Sequence, residues 1–255
     1  MASANDDGPI LVFLGPTLRL AEAQAALDAI YLKPVAQGDI VLAAHAFRPR
    51  AMLLIDGLFE DRPAVRHKEI LWAMAQGITM IGAASMGALR AAELCDFGMI
   101  GVGLIYRWYR RCQLAADDAV AVHSAPAELG FLPLTDSLVD LQRTFSSLSR
   151  RGLISPAERC TLTTMARDMN FRERTLAAAL ERAGWSTEQA QVLRRAVVRQ
   201  KELDALSALH NARALAQKAR GAGGNMPWIA TNTFIRDLEA GGIDSNLVNT
   251  YKLNP

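Results

Sequence analysis

The sequence predicts an α/β domain in which helices cover both faces of a parallel sheet. Three short apolar runs, each followed by a segment of helical composition, carry this prediction: residues 10–14, 51–55 and 78–81. Strands and helices that alternate at this spacing are typical of right-handed βαβ units. The pattern leaves the strand order open between a flavodoxin-like and a Rossmann-like arrangement.

Glycine and proline delimit the other elements of this domain. Helices are expected over residues 19–29, 38–46, 63–76 and 86–96, with brief strands at 31–34 and 119–122. Pro63 suits the first turn of the third helix, where Asp61 is available as a cap. Residues 98–103 contain three glycines and are expected to form a connection.

The chain beyond Pro133 has helical composition. Ser155 and Ser186 each begin a capping box, and a long helix is expected from residue 186 to about 219, ended by the glycines of residues 221–224. The predicted organisation is a flexible N-terminus, an α/β core domain, a helical subdomain and a tail, at residues 1–9, 10–133, 134–240 and 241–255.

Composition excludes several classes of protein. A formal net charge of +2 over 255 residues argues against a dedicated nucleic-acid binder, and the basic stretch at residues 194–201 is expected to be a solvated helix face. Three cysteines without CxxC spacing predict neither a disulfide framework nor a structural zinc site. The N-terminus lacks the features of a signal peptide, and no apolar run approaches the roughly 18 residues that span a bilayer. A cytoplasmic protein without a membrane partner is expected.

Polar residues follow three of the predicted strands. Thr17, Asp56 and Ser85 each come shortly after an apolar run. Ligands of parallel α/β sheets bind beyond the carboxyl ends of the strands. We therefore expect these three residues at one edge of the sheet.

Ser85 lies where a strand turns sharply into a helix. Residues 83–87 have the G-x-S-x-G spacing of a nucleophile elbow, with Ala83 in place of the first glycine. The free N–H groups at the start of the following helix suit an oxyanion. The alternative is that Ser85 caps this helix.

His67 lies on an apolar helix face that points toward the same sheet edge. It is either a core residue or a general base for Ser85. Lys68 and Glu69 are its neighbours, and Arg90 with Glu93 has the spacing of a helix-surface ion pair. The other histidines have no metal-ligand spacing, and no dinucleotide fingerprint or P-loop is present, so neither a metal nor a cofactor is expected.

Six motifs between residues 37 and 122 resemble those of the TfuA-like family. Two of them are specific: His-Lys-Glu-Ile-Leu at residues 67–71 and Gly-Ala-Ala-Ser-Met-Gly, continuing through Leu94, at residues 82–94. The others are at residues 37–40, 55–59, 97–103 and 117–122. Ala119 departs from the pattern, which usually has an acidic residue there.

The resemblance implies a partnership with a YcaO enzyme, which uses ATP to activate backbone amides. With a TfuA-like protein the product is a thioamide, in a ribosomal peptide or in methyl-coenzyme M reductase. The resemblance thus implies a role in sulfur supply. A concrete version is hydrolysis of a thiocarboxylated, ubiquitin-like sulfur carrier protein, with a precursor peptide as a further partner.

This implied chemistry assigns roles to the candidate residues. Ser85 would be the nucleophile and His67 the base or proton donor, oriented by Asp56 or Glu69. Substrate-binding roles would fall to Lys68, Arg90, Thr17, Gly57 and Gly87. The alternative is a non-catalytic partner that docks on YcaO and recruits carrier or peptide. A nucleotide- or phosphate-binding module is a third possibility.

Overall fold

The computed structural model of the protein describes residues 8–58, 62–111, 116–220 and 228–250. Its centre is a five-stranded, wholly parallel sheet. The strands are β1 (Ile10–Phe13), β2 (Ile30–Leu32), β3 (Ala51–Leu54), β4 (Thr79–Ala83) and β5 (Ile100–Val102). The predicted α/β class with a parallel sheet is confirmed.

The strand order is β2-β1-β3-β4-β5, which is the flavodoxin-like order. In this order the chain reverses its direction of progress between β1 and β3. The loops that follow these two strands separate there and leave a crevice at the carboxyl edge of the sheet. Topology alone therefore places a ligand crevice between the loops after Phe13 and Leu54.

Twelve α-helices are assigned within the described residues. The first five are α1 (Leu20–Ala26), α2 (Asp39–Phe47), α3 (His67–Ala75), α4 (Met86–Leu94) and α5 (Gly103–Arg111). The others are α6 (Leu138–Arg150), α7 (Pro156–Arg167), α8 (Leu176–Arg182), α9 (Thr187–Arg194), α10 (Gln200–Arg220), α11 (Asn232–Ala240) and α12 (Leu247–Thr250). The helical composition after Pro133 thus predicted the local structure correctly, but the single helix expected from residue 186 to 219 is two, α9 and α10.

Helix α3 begins later than the sequence predicted. Its first residue is His67 rather than Pro63. The Pro63 carbonyl accepts a hydrogen bond from Gln37 N–H at 2.9 Å, which holds this segment extended beside α2. Glu69 then accepts from Arg66 N–H at 2.7 Å and closes the helix start.

Two strand assignments also change. Residues 119–122 were expected to form a strand, but Asp117–Val120 is a 3₁₀-helix. Residues 98–103 were expected to be only a connection, yet they contain edge strand β5. Gly101 interrupts the apolar pattern that would have predicted this strand. A Cβ at this position would lie 2.2 Å from the Tyr106 ring, so no apolar side chain fits there.

Four predicted features fall wholly or partly on residues outside the described ranges. They are the N-terminus expected to be flexible, the Asp61 cap, the glycine break at residues 221–224, and the tail, of which residues 251–255 lie outside. The boundaries of the predicted domains stay predictions. Within the described ranges, no helix combines the length and the apolar character that a membrane crossing requires.

Successive strand residues face opposite helical layers. In β1, Leu11 and Phe13 pack in the layer formed by α2 to α5, whereas Ile10 and Val12 pack against α1 and α10. Helix α10 contributes a row of alanines to this second layer, Ala205, Ala208, Ala212 and Ala216, together with Leu209. Small side chains let α10 lie close to the sheet, so a helix from the far end of the chain completes the three-layer fold.

Candidate functional site

Asp56 organises the loops at the carboxyl edge of the sheet. Its side chain is buried, and the residue lies two positions after the end of β3. Asp56 Oδ2 accepts from Gly15 N–H at 2.9 Å and from Thr17 N–H at 3.1 Å. The Thr17 hydroxyl donates to Asp56 Oδ1 at 2.6 Å. The carboxylate thereby ties the loop after β1 to the end of β3, across the crevice of the strand order.

Ser85 follows β4 in a strained three-residue turn. Its N–H donates to the Ala83 carbonyl at 2.7 Å, and Ala84, between them, has a φ of 65°. This left-handed conformation is uncommon for a residue with a side chain and is concentrated at functional sites. Ser85 occupies the N-cap position of α4, but its side chain makes no capping hydrogen bond. The turn therefore holds the hydroxyl at the site without using it to stabilise the helix.

The glycines of this motif allow α4 to start directly against the strand ends. A Cβ at Gly82 would lie 2.1 Å from the Gly87 carbonyl oxygen, and one at Gly87 would lie 1.8 Å from the Leu54 carbonyl oxygen. A Cβ at Gly57 would lie 2.6 Å from Met86 Cγ. Gly57 and Gly87, assigned to substrate binding from the sequence, thus have a packing function that accounts for the absence of a side chain.

A small cavity of about 110 Å³ opens at these strand ends. The residues that line it include Asp56, Gly57, Ser85, Val120, His123, Ser124 and Arg172. Of the residues predicted from the sequence, the structure brings Asp56, Gly57 and Ser85 to this cavity. It adds His123 and Arg172, which no spacing rule identified. The one signal for His123 was its position directly after the motif at residues 117–122.

A larger cavity of about 630 Å³ adjoins the first and shares Pro16 and Val122 with it. Thr17, Asp140 and Lys201 are among its lining residues. Lys201 is only 4% exposed. The prediction of a solvated face for residues 194–201 is therefore wrong at Lys201, because α10 turns this residue toward the sheet edge.

The wall formed by residues 117–123 is held by a buried arginine. Arg174 Nη1 donates to the Asp118 carbonyl at 3.2 Å, and Nη2 donates to Asp118 Oδ2 at 2.7 Å. Arg174 also donates to the carbonyls of Ala166 and Met169. Four such bonds fix both the arginine and the short helix that precedes His123.

His67 lies in a charged cluster on the side of α4. Its Nε2 is 2.7 Å from Glu93 Oε2, and Arg90 Nη1 donates to the same oxygen at 2.7 Å. Burial opposes ionisation of Glu93, but the hydrogen bond from His67 and the charge of Arg90 lower its pKa below the usual range. None of these three residues lines the Ser85 cavity. The carboxylate partner of His67 is thus Glu93, whereas the sequence assigned Asp56 or Glu69.

Glu69 and Lys68 point to other parts of the fold. Glu69 is fully buried and accepts from the N–H groups of Arg66 and Gly38 at 2.7 and 2.9 Å, so it joins α3 to the start of α2. Burial raises the pKa of Glu69 to about 7, against the lowering effect of these hydrogen bonds. Lys68 Nζ donates to the Ile229 carbonyl at 3.4 Å, in the C-terminal segment.

Residues 56–175 match the family model for TfuA-like protein. The chain contains a TfuA-like domain. The matched segment starts at Asp56 and includes Ser85, His123 and Arg174, whereas Thr17 and Lys201 lie outside it. The TfuA-like family is associated with thioamide formation by YcaO enzymes. No curated protein matches the sequence.

Proposed function

We propose that this TfuA-like protein hydrolyses the thiocarboxylated C-terminus of a sulfur carrier protein and releases sulfide for YcaO. The observation that carries the proposal is the state of Ser85. Its hydroxyl is delivered to a small cavity by a strained turn and does not cap the helix behind it. Because the Ser85 hydroxyl makes no capping hydrogen bond, it is available as a nucleophile.

The chemistry proceeds in two steps. Ser85 Oγ attacks the carbonyl carbon of the thiocarboxylate, and a base takes the hydroxyl proton. The tetrahedral adduct collapses, breaks its C–S bond and expels sulfide, which takes up protons as hydrogen sulfide. Water then hydrolyses the acyl-serine ester to a carboxylate. The net reaction converts a thiocarboxylate and water into a carboxylate and hydrogen sulfide.

His123 is the base that best fits the cavity. It lines the same space as Ser85, whereas His67 is engaged with Glu93 outside it. We assign the proton transfer to His123 and a positioning or docking role to His67. The N–H of Met86, at the first position of α4, has no intrahelical partner and suits the oxyanion of the adduct.

Arg172 is the cation that lines the cavity. A thiocarboxylate is an anion and a poor electrophile until a positive group offsets its charge. Lys68 and Arg90 were assigned this role from the sequence, but neither of them lines the cavity. We therefore propose Arg172 as the thiocarboxylate-binding residue.

The size of the cavity restricts the substrate. A volume of about 110 Å³ corresponds to only a few water molecules. Such a space admits the end of an extended chain with small residues rather than a folded surface. This supports a carrier whose reactive terminus projects from its domain.

The direct test uses a thiocarboxylated carrier protein, with carrier mass and released sulfide as readouts. Ser85→Ala is expected to lower hydrolysis about 10³-fold or more, because the nucleophile is lost. Ser124→Ala is the matched control, since Ser124 lines the same cavity, and it should retain activity. Undiminished hydrolysis by Ser85→Ala would remove the nucleophile from the proposal.

A second candidate is a non-catalytic role in which the protein docks on YcaO. The partly exposed cluster of His67, Arg90 and Glu93 favours it, because charged groups outside the cavity suit a polar interface. Thioamide formation by YcaO with inorganic sulfide separates the two roles. A docking role predicts stimulation by Ser85→Ala protein and loss of stimulation with His67→Ala.

A further inference from the structure

Lys201 brings a buried positive charge to the sheet edge from outside the TfuA-matched segment. Its Nζ donates to the Val120 carbonyl at 2.9 Å, and the residue lies at the start of α10. An ammonium group has three donors, and burial without partners would be costly. A lysine in this place calls for an explanation beyond packing.

Two carboxylates surround this ammonium group. Burial lowers the pKa of Lys201, while the charges of Asp56 and Asp140 raise it. Asp140 is partly buried and accepts from Lys201 N–H at 3.0 Å. Within the described part of the chain, neither carboxylate forms a direct ion pair with Nζ. Lys201 therefore offsets the negative charge of one buried and one partly buried acid.

The hydrogen bond to Val120 reaches the wall of the Ser85 cavity. Val120 and His123 both line this cavity and are three residues apart. His123 N–H donates to Thr135 Oγ1 at 2.7 Å, which holds the other end of the same segment. The wall that carries His123 is thus fixed at one end by Thr135 and at the other by Lys201.

We propose that Lys201 is a positioning residue of the Ser85 site. It fixes His123 in the cavity through the Val120 carbonyl, and its charge keeps Asp56 and the cavity electrically balanced. The catalytic part of this inference rests on the proposed hydrolysis. The positioning part concerns His123 alone and is measurable without substrate.

The test compares Lys201→Met with Lys218→Met, which removes an exposed lysine from the same helix. The first readout is the NMR spectrum of the His123 imidazole at one fixed pH, assigned with His123→Ala. Lys201→Met removes the hydrogen bond from Nζ to the Val120 carbonyl and releases one end of the cavity wall, so the His123 ring resonances should shift or broaden. Lys218→Met should leave them in place. Unchanged His123 ring resonances in folded Lys201→Met protein would overturn the proposal.

The second readout is carrier hydrolysis. Lys201→Met should lower kcat about 10²-fold with little change in KM, because a displaced base affects the transition state more than binding. Lys201→Arg, which keeps a donor for the Val120 carbonyl, should restore the His123 ring resonances and part of kcat. An inactive wild-type protein whose His123 ring resonances move in Lys201→Met would reject the hydrolase function and support the positioning role. A folded Lys201→Met protein with wild-type kcat would reject the catalytic part of the inference.

Discussion

His67 Nε2 lies 2.7 Å from Glu93 Oε2, so helix α3 is tied to the second half of α4 rather than to its start. Ser85 precedes Glu93 by eight residues, which corresponds to about 12 Å along a helix axis. Arg90, between them, donates to the same carboxylate oxygen. The ion cluster and the serine turn are therefore two separate features of one helix.

This separation predicts different effects of the two histidines on hydrolysis. His123→Ala should lower kcat about 10²–10⁴-fold, the range for loss of a general base. His67→Ala should change kcat less than about tenfold, because its ring is engaged outside the cavity. Steady-state kinetics with thiocarboxylated carrier measures both. A larger loss of kcat in His67→Ala than in His123→Ala would identify His67 as the base.

Ser85→Ala should leave the protein nearly as stable as the wild type. Loss of a serine N-cap bond typically costs about 1 kcal/mol, but Ser85 makes no such bond. We expect a cost below about 0.5 kcal/mol. Ser155→Ala is the matched control, because Ser155 Oγ accepts from Glu158 N–H at 3.2 Å and should cost about 1 kcal/mol. Urea unfolding measures both, and equal losses would show that Ser85 is a cap.

Gly87→Ala should destabilise the sheet edge. The added methyl group would meet the Leu54 carbonyl oxygen at 1.8 Å, so α4 must move away from β3. Overpacking of this kind costs about 3 kcal/mol. Gly241→Ala, whose Cβ would come no closer than 3.3 Å to another atom, is the control and should change the unfolding free energy little. Thermal or urea unfolding that fails to distinguish the two variants would contradict the close packing of α4.

Glu69 gives the fold a pH dependence. Its pKa is about 7 in the folded protein and 4.5 ordinarily, so between these values the folded state binds more protons than the unfolded state. This contribution to stability is complete below pH 4.5, declines as pH rises and levels off above about 7. The slope reaches at most about 1.4 kcal/mol per pH unit.

The difference in unfolding free energy between wild type and Glu69→Gln isolates this effect. The free energy of unfolding of the wild type minus that of Glu69→Gln should decrease by about 2–3 kcal/mol from pH 5 to pH 8. Other titrating groups are shared and cancel in the difference. A difference that grows with pH would show that the N–H donors of Arg66 and Gly38 outweigh burial.

Local patterns were sufficient for much of the fold. The apolar runs that became β1, β3 and β4 are fully buried and nearly uninterrupted, which is the signal that parallel strands give. Strand β5 lacks this apolar pattern, because a side chain at Gly101 would collide with the Tyr106 ring. Residues 119–122 gave the opposite error, since Arg174 and Lys201 bind the carbonyls of Asp118 and Val120 that a strand would pair.

The sequence predicted less of the site than of the fold. Asp56 and Ser85 follow strands that topology brings together, so their placement needs only the sheet. His67 could not be separated from a catalytic base, because its partner Glu93 lies 26 residues away on another helix. Lys201 was missed because its burial depends on how α10 packs, and nothing in a local charge pattern encodes that.

The order of the strands bears on where this chain can be cut. Residues 56–175 contain β4 and β5 but neither β1 nor β3, although β3 is the middle strand and the only sheet neighbour of β4 besides β5. A fragment limited to the family match would carry Ser85 on a two-stranded remnant with no loop for Asp56 to hold. It would also lack α10 and its alanine row. Experiments on residues 56–175 alone would therefore not report on the five-stranded sheet of the longer chain.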